Sequence, residues 1–235
     1  MLTELKEAVH KANLDLVRSG LVILTFGNVS GIDRRRGIVA IKPSGVAYDA
    51  LKADDIVLVD LEGNVVEGWL NPSSDTPTHV ELYKAFPDVG GVAHAHSPYA
   101  TMFAQARREI PCLGTTHADH FHGPVPLTRL LREAEVAADY EKNTGKVVVE
   151  RFKGLDPLEL PAALVAGHGP FTWGKTPGEA VETALVLELV AHTAFGSTIL
   201  DPRLAPLDRP IQEKHFRRKH GPDAYYGQKK EKDND

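Results

Sequence analysis

Apolar positions recur at helical spacing from the start of the chain: Leu2, Leu5, Val9, Ala12, Leu16 and Val17, with Gly20 as the stop. Short alternating runs follow. Residues 39–42 and 56–59 predict strands, and Glu62-Gly63-Asn64 turns the second back into Val65-Val66. Residues 72–78 form a polar loop. Thr78 and Glu81 have capping-box spacing and predict a helix through Val80, Leu82, Tyr83 and Phe86. Gly90-Gly91 leads an apolar strand over 92–96, and Pro98 opens the next helix. A further helix over 132–143 ends near Gly145. Residues 147–152 and 162–166 predict strands. Pro177 opens a long helix whose buried stripe is Ala180, Ala184, Leu187, Val190, Ala191 and Ala194. A basic, aromatic stretch over 212–228 closes the domain, and the charged residues 229–235 read as a disordered tail.

Strands and helices alternate without a long β-α-β rhythm, and several strand pairs are hairpin-linked. The expected fold is α/β: a single domain over residues 1–228 with a central mixed or mainly antiparallel β-sheet flanked by helices on both sides. A length of 235 residues suits one large domain. The net charge of −5 argues against a nucleic-acid partner. The single cysteine, Cys112, excludes an intramolecular disulfide and a Cys-rich zinc module, and reads as a small buried hydrophobe. No signal peptide is visible, and no apolar run approaches membrane-spanning length. The expectation is a soluble, cytoplasmic protein without a membrane partner.

The chemistry concentrates at His94-Ala95-His96. On a strand, residues two apart point to the same face, so both imidazoles can reach one point. His168, between Gly167 and Gly169, closes another apolar run, and Asp75 precedes a helix. Three imidazoles and a carboxylate suit a tetrahedral zinc, or a zinc with one position left to substrate. Asp75 also has the position of a helix cap. His79, one turn later, reads as a surface or partly buried helix residue. Gly27-Asn28-Val29-Ser30, Lys42-Pro43-Ser44-Gly45 and Pro72-Ser73-Ser74-Asp75-Thr76 place small donors on turns, where backbone N–H groups can bind phosphate oxygens. Serines in turns also serve local backbone bonds. Together with a metal, the three turns suggest a small phosphorylated substrate. Residues 115–122, with His117, Asp119, His120 and His122, suit general acid–base work or a second metal. The closing stretch carries His215, Arg217, Arg218, Lys219, His220 and Tyr225-Tyr226. It reads as a solvated basic surface or as a segment that packs on a neighbouring subunit.

These motifs, with Thr115-Thr116-His117-Ala118-Asp119 and the ending Arg218-Lys219-His220-Gly221 to Tyr225-Tyr226-Gly227-Gln228, resemble the L-ribulose-5-phosphate 4-epimerases of the zinc-dependent class II aldolase and adducin-head superfamily. The resemblance runs from the first helix to Gln228. It implies one Zn2+ per subunit on His94, His96, His168 and Asp75. It implies Gly27, Asn28, Ser44, Gly45, Ser73, Ser74 and Arg218 as the phosphate and substrate contacts. Asp119 and Tyr226 are the implied acid–base pair, reaching the site from the adjacent subunit of a homotetramer. In related fuculose-phosphate aldolases a glutamate stands where Asp75 does, so the aspartate favours an epimerase. His120 and His122 stand where aromatic residues are more usual. The implied reaction interconverts L-ribulose 5-phosphate and D-xylulose 5-phosphate at C4. The C4 proton is not acidic, so retro-aldol cleavage and re-addition is the plausible route. The alternatives are an aldolase or dehydratase on a related sugar phosphate, and a non-catalytic adducin-head-like domain.

Overall fold

The computed structural model describes residues 2–221 and 224–227. Gln228 of the closing motif and the expected disordered tail over 229–235 lie outside the described residues. Seven strands form one sheet: β1 (Gly27–Asp33), β2 (Ile38–Ile41), β3 (Val57–Asp60), β4 (Val65–Glu67), β5 (Gly91–Ala95), β6 (Ala162–Leu164) and β7 (Pro170–Gly174). Their order is β4-β3-β2-β1-β5-β7-β6, and every neighbouring pair is antiparallel. The expectation of a mainly antiparallel sheet is met in its stronger form. The helices are α1 (Leu2–Arg18), α2 (Thr76–Ala85), α3 (Pro98–Ala106), α4 (Thr115–Ala118), α5 (Glu133–Ala137), α6 (Tyr140–Arg151), α7 (Pro177–Leu200) and α8 (Arg209–Lys219).

Alternation along the strands builds a core on each face of the sheet. Val29, Ala93 and Ala95 pack with Ala12 and Leu16 of α1 and with Ala180 and Ala184 of α7. Val92, Phe171 and Trp173 belong to the larger cluster, with Leu82 and Tyr83 of α2, Val148 of α6, and Phe86 and Phe152 at the C-caps of those two helices. The register sets the site: β1 places Asn28 opposite His94, and β7 places Phe171 on the other side of His94.

Five elements differ from the sequence reading. Residues 27–30 open strand β1 instead of forming a turn, and β7 follows directly on the Gly167-His168-Gly169 turn. Residues 147–152 are not a strand: α6 runs on through Gly145 to Arg151. The β-branched Val147-Val148-Val149 run favours a strand in isolation, but Thr144, Gly145, Val147 and Val148 form one buried helical stripe against α2. The closing basic stretch is helical over 209–219. Helix α2 starts at Thr76, with Asp75 as its N-cap. The Thr78 hydroxyl is buried and donates to the Glu141 carbonyl at 2.6 Å, so the expected capping box does not form.

Helix α7 also corrects the expectation that no apolar run has membrane-spanning length. It has 24 residues and reaches a mean hydropathy of 1.5. It packs on β5, β7, α1 and α3, which accounts for its apolar inner stripe. Its outer apolar residues Leu185, Leu189, Phe195 and Ile199 are exposed.

Candidate metal centre and phosphate pocket

Three histidines meet where β5 ends. His94 is the fourth residue of β5, and His96 follows the strand directly. His168 sits on the turn into β7, which Gly167 permits by adopting a φ of 75°. The ring centroids lie 4.9 Å (His94–His96), 4.9 Å (His94–His168) and 5.1 Å (His96–His168) apart. One nitrogen from each ring lies within 4.8 Å of the others, and the Nε2 atoms of His94 and His96 are 3.0 Å apart. Zinc–nitrogen bonds of about 2.0–2.1 Å in tetrahedral array separate ligand nitrogens by about 3.3 Å. The donor set fits.

Electrostatics prepare the rings for a metal. His94 Nδ1 is 2.8 Å from the Pro170 carbonyl, which only accepts, so the proton is on Nδ1 and the Nε2 lone pair is free. Its ring also stacks on Phe171 at 4.1 Å. Burial pushes His168 down to about 4, helped by the neighbouring His94 and His96. Burial and His94 lower His96 as well. Both are neutral ligands near pH 7, as metal binding requires.

Asp75 lines the same cavity. It holds the N-cap position of α2, yet its side chain makes no cap hydrogen bond. Its Oδ2 instead accepts from Asn28 Nδ2 at 2.6 Å. Burial raises the Asp75 carboxyl, but His94, His79 and the Asn28 bond outweigh it and hold it below the usual carboxylate range. The cap alternative therefore describes its backbone and not its carboxylate.

The serine loops converge on this point. Ser44 N–H donates to the Asn71 carbonyl at 2.9 Å, and Ser73 N–H donates to the Lys42 carbonyl at 3.0 Å. These bonds zip the two serine loops side by side. Gly27 has no room for a side chain: a Cβ would come within 2.9 Å of the His94 carbonyl oxygen. A cavity of about 410 Å³ collects Gly27, Asn28, Ser44, Gly45, Ser73, Ser74, Asp75, His94, His96 and His168, a size suited to a small ligand. Lys42, Tyr140 and Glu141 also line it.

The remaining expected residues are placed elsewhere. Asp119, Arg218 and Tyr226 do not line this cavity within one chain. Asp119 follows α4 and is nearly buried against α8, where Arg218 and His215 bind it. Tyr226 is 60% exposed, with the Arg218 guanidinium 4.9 Å from its ring centroid.

Two buried groups escaped the sequence reading. Lys42 is 2% exposed, and its ammonium donates only to the Pro43 and Val46 carbonyls, at 3.2 and 2.8 Å. Its signal was a lysine closing the apolar run Ile38-Val39-Ala40-Ile41. His79, expected at or near the surface, is 0% exposed, because α2 turns that face onto β1 and β7.

The class II aldolase and adducin N-terminal domain family matches residues 7–195. The L-ribulose-5-phosphate 4-epimerase UlaF of Salmonella paratyphi B is 55% identical over 228 residues, covering 97% of this chain and 100% of that protein. Among solved structures, an L-fuculose 1-phosphate aldolase superposes with a TM-score of 0.77 at 26% identity, over 92% of this chain and 95% of that one. The L-fuculose 1-phosphate aldolase of Glaciozyma antarctica PI12 shares the fold, with a TM-score of 0.75 at 19% identity over 94% and 84% of the two chains. A histidine cluster that could hold a metal and a fold shared with class II aldolases thus agree with sequence kinship, and the chain belongs to the class II aldolase and adducin N-terminal domain family.

Proposed function

We propose that this chain is a zinc-dependent epimerase that interconverts L-ribulose 5-phosphate and D-xylulose 5-phosphate at C4. The observation that carries the reading is one cavity lined by three clustered imidazoles and the carboxylate of Asp75 together with two serine loops and Lys42. The 55% identity to an L-ribulose-5-phosphate 4-epimerase supports the substrate. A non-catalytic adducin-head-like domain has no need of such a set.

One Zn2+ per subunit, on His94, His96, His168 and Asp75, would supply positive charge beside the C2 ketone oxygen, where negative charge develops. Gly27, Asn28, Ser44, Gly45, Ser73, Ser74 and Lys42 hold and orient the phosphorylated sugar. C3–C4 cleavage then yields a two-carbon aldehyde phosphate that stays bound by its phosphate, and the three-carbon enediolate of dihydroxyacetone that keeps the electron pair of the broken bond. The aldehyde rotates, presents its other face and is attacked again. One group must take the C4 hydroxyl proton on one face, and another must return a proton on the other. Asp119 and Tyr226 fill these roles. Both stand away from the cavity of their own chain, so they serve a neighbour's site. The exposed apolar side chains of α7 supply a surface for such an assembly, a homotetramer with sites at its interfaces. Arg218 completes the phosphate end beside the same interface. The protein works in the cytoplasm, without a membrane or nucleic-acid partner.

Proton NMR of the zinc-loaded protein with L-ribulose 5-phosphate tests this. Chelator-sensitive appearance of D-xylulose 5-phosphate is expected. Accumulation of glycolaldehyde phosphate and dihydroxyacetone would replace the epimerase with an aldolase, and no turnover would refute both.

A further inference from the structure

His79 is fully buried on α2, and none of the roles above uses it. Its Nδ1 lies 2.7 Å from the Ser30 hydroxyl, which lies 2.8 Å from the Tyr83 hydroxyl. When the Tyr83 hydroxyl donates to Ser30 and Ser30 donates to His79 Nδ1, both hydroxyl protons have partners. This direction satisfies every member of the chain and leaves the His79 proton on Nε2. That Nε2 is buried and has no hydrogen-bond partner among the described residues. An orphaned buried donor is costly and needs a reason.

The reason is one helical turn away. His79 N–H donates to the Asp75 carbonyl at 3.1 Å, and Asp75 has helical backbone angles (φ −75°, ψ −2°). Side chains four apart on such a turn share one face. Burial is the largest influence on the His79 imidazole, pushing it down to about 3, and the opposing charge of Asp75 is the next. The unpartnered Nε2 of His79 is thus on the helix face that Asp75 shares, with no direct bond between the two. We propose that His79 is a positioning residue for Asp75: its Nε2–H, which makes no direct bond to the carboxylate, acts on it from the core side across a bridging water while Asn28 holds Oδ2. The chain Tyr83–Ser30–His79–Asp75 then ties the metal centre to the core, as outer partners of metal ligands do. This rests on Asp75 belonging to the proposed metal centre.

Two variants separate positioning from packing. His79→Asn keeps a partner for Ser30 and removes the Nε2 donor, whereas His79→Gln puts an amide donor near the Nε2 position. Zinc affinity is measured by chelator competition alongside thermal melting. His79→Asn is expected to weaken zinc binding by about 10–100-fold, and His79→Gln to recover most of it. Unchanged affinity in His79→Asn, or equal loss in both variants, overturns the proposal. Nitrogen NMR of the metal-free wild-type protein tests the contact itself. The proton is expected on Nε2, with a resonance that shifts in Asp75→Asn. A proton on Nδ1, or no response to Asp75→Asn, overturns the proposal even if His79→Asn fails to fold. If the wild-type protein binds no zinc, the metal reading fails, and this NMR result still decides the His79–Asp75 contact.

Discussion

Asp119 and Arg218, 99 positions apart, close a two-pronged ion pair: Nε donates to Oδ1 at 2.8 Å and Nη2 to Oδ2 at 2.5 Å. His215 adds a third bond to Oδ1 at 3.0 Å. Burial pushes the Asp119 carboxyl up, but the bonds from Arg218 and His215 and the nearby charges of Arg218 and Lys219 bring it below the usual range. A carboxylate depressed by folding stabilises the protein above its unfolded pKa, and that stability is lost as pH falls through the folded value. Asp119→Asn is therefore expected to flatten the acid dependence of thermal stability below about pH 4. Melting curves from pH 3 to pH 7 check this, and an unchanged slope would show that the pair is not linked to folding.

The separation of Asp119 and Tyr226 from the metal cavity makes the shared-site arrangement measurable. Tyr226→Phe is expected to lower turnover by about 10²–10⁴ with metal content unchanged. Asp119→Asn and His96→Asn should each be inactive alone. In mixed oligomers, a site is whole when its histidines come from an Asp119→Asn subunit and its acid from a His96→Asn subunit. Random 1:1 mixing of subunits restores about a quarter of the sites. Mixtures that remain as inactive as their parents would place both residues in one subunit's site.

Lys42 is a cation kept in the protein by carbonyls, with the Tyr48 ring 4.6 Å from its ammonium and no carboxylate bonded to it. Burial pushes it down to about 8. The folded protein then holds fewer protons than the unfolded chain between about pH 8 and pH 10.4, so this group makes stability rise with pH across that window. A phosphate arriving in the cavity reverses the effect on Lys42 and draws a proton in. Calorimetry of substrate binding at pH 8, in buffers of different ionisation enthalpy, should register proton uptake. Lys42→Met should lose the uptake and raise KM. Equal heats in all buffers would detach Lys42 from the phosphate.

What the sequence disclosed depended on whether a signal was local. The alternation in β2, β3 and β5 and the stripe of α7 are local, and each element formed as read. The His94–His96 pair was legible because a strand's two-residue period is invariant. Strand β1, by contrast, is Gly-Asn-Val-Ser-Gly-Ile-Asp, whose composition suggests a turn. It is a strand because β2 and β5 pair with it on both sides. His79 and Lys42 look polar and external in sequence. Their burial follows from which face α2 turns to β1 and from how Tyr48 folds over Lys42, both long-range facts.

His122 bridges two elements: its Nδ1 is 2.8 Å from Glu159 and its Nε2 is 3.0 Å from Glu213 on α8. It stacks on Phe216 at 4.4 Å, and Arg217 shares Glu213. Both nitrogens must carry protons for both bonds to form. Burial lowers the imidazole, but the two glutamates outweigh it and raise its pKa. A raised basic group contributes stability that is complete below its unfolded pKa, about 6.5, and lost as pH rises through the folded value. His122→Phe, which keeps the stack, should lower the melting temperature at pH 6 and much less at pH 8.5. Equal losses at both would assign the effect to packing.

Gly145 shows how a residue that ends most helices can be required inside one. A Cβ there would lie 2.7 Å from Glu81 Cβ and 2.9 Å from the Thr78 carbonyl oxygen. In an exposed helix, Gly→Ala gains about 1 kcal/mol of propensity. Here the added methyl meets backbone that cannot step aside alone, and overpacking of this kind costs about 1–3 kcal/mol. Gly145→Ala should therefore destabilise the protein on balance. The clash bears on α2, which carries His79 and is capped at its start by Asp75, so relief by moving α2 should also weaken metal binding. Denaturant unfolding and chelator competition measure the two effects separately. A net gain in stability would mean that α2 and α6 can separate without loss. Lost stability with intact metal affinity would mean that the end of α2 at Asp75 is held by β1, through Asn28, more firmly than by its own helix.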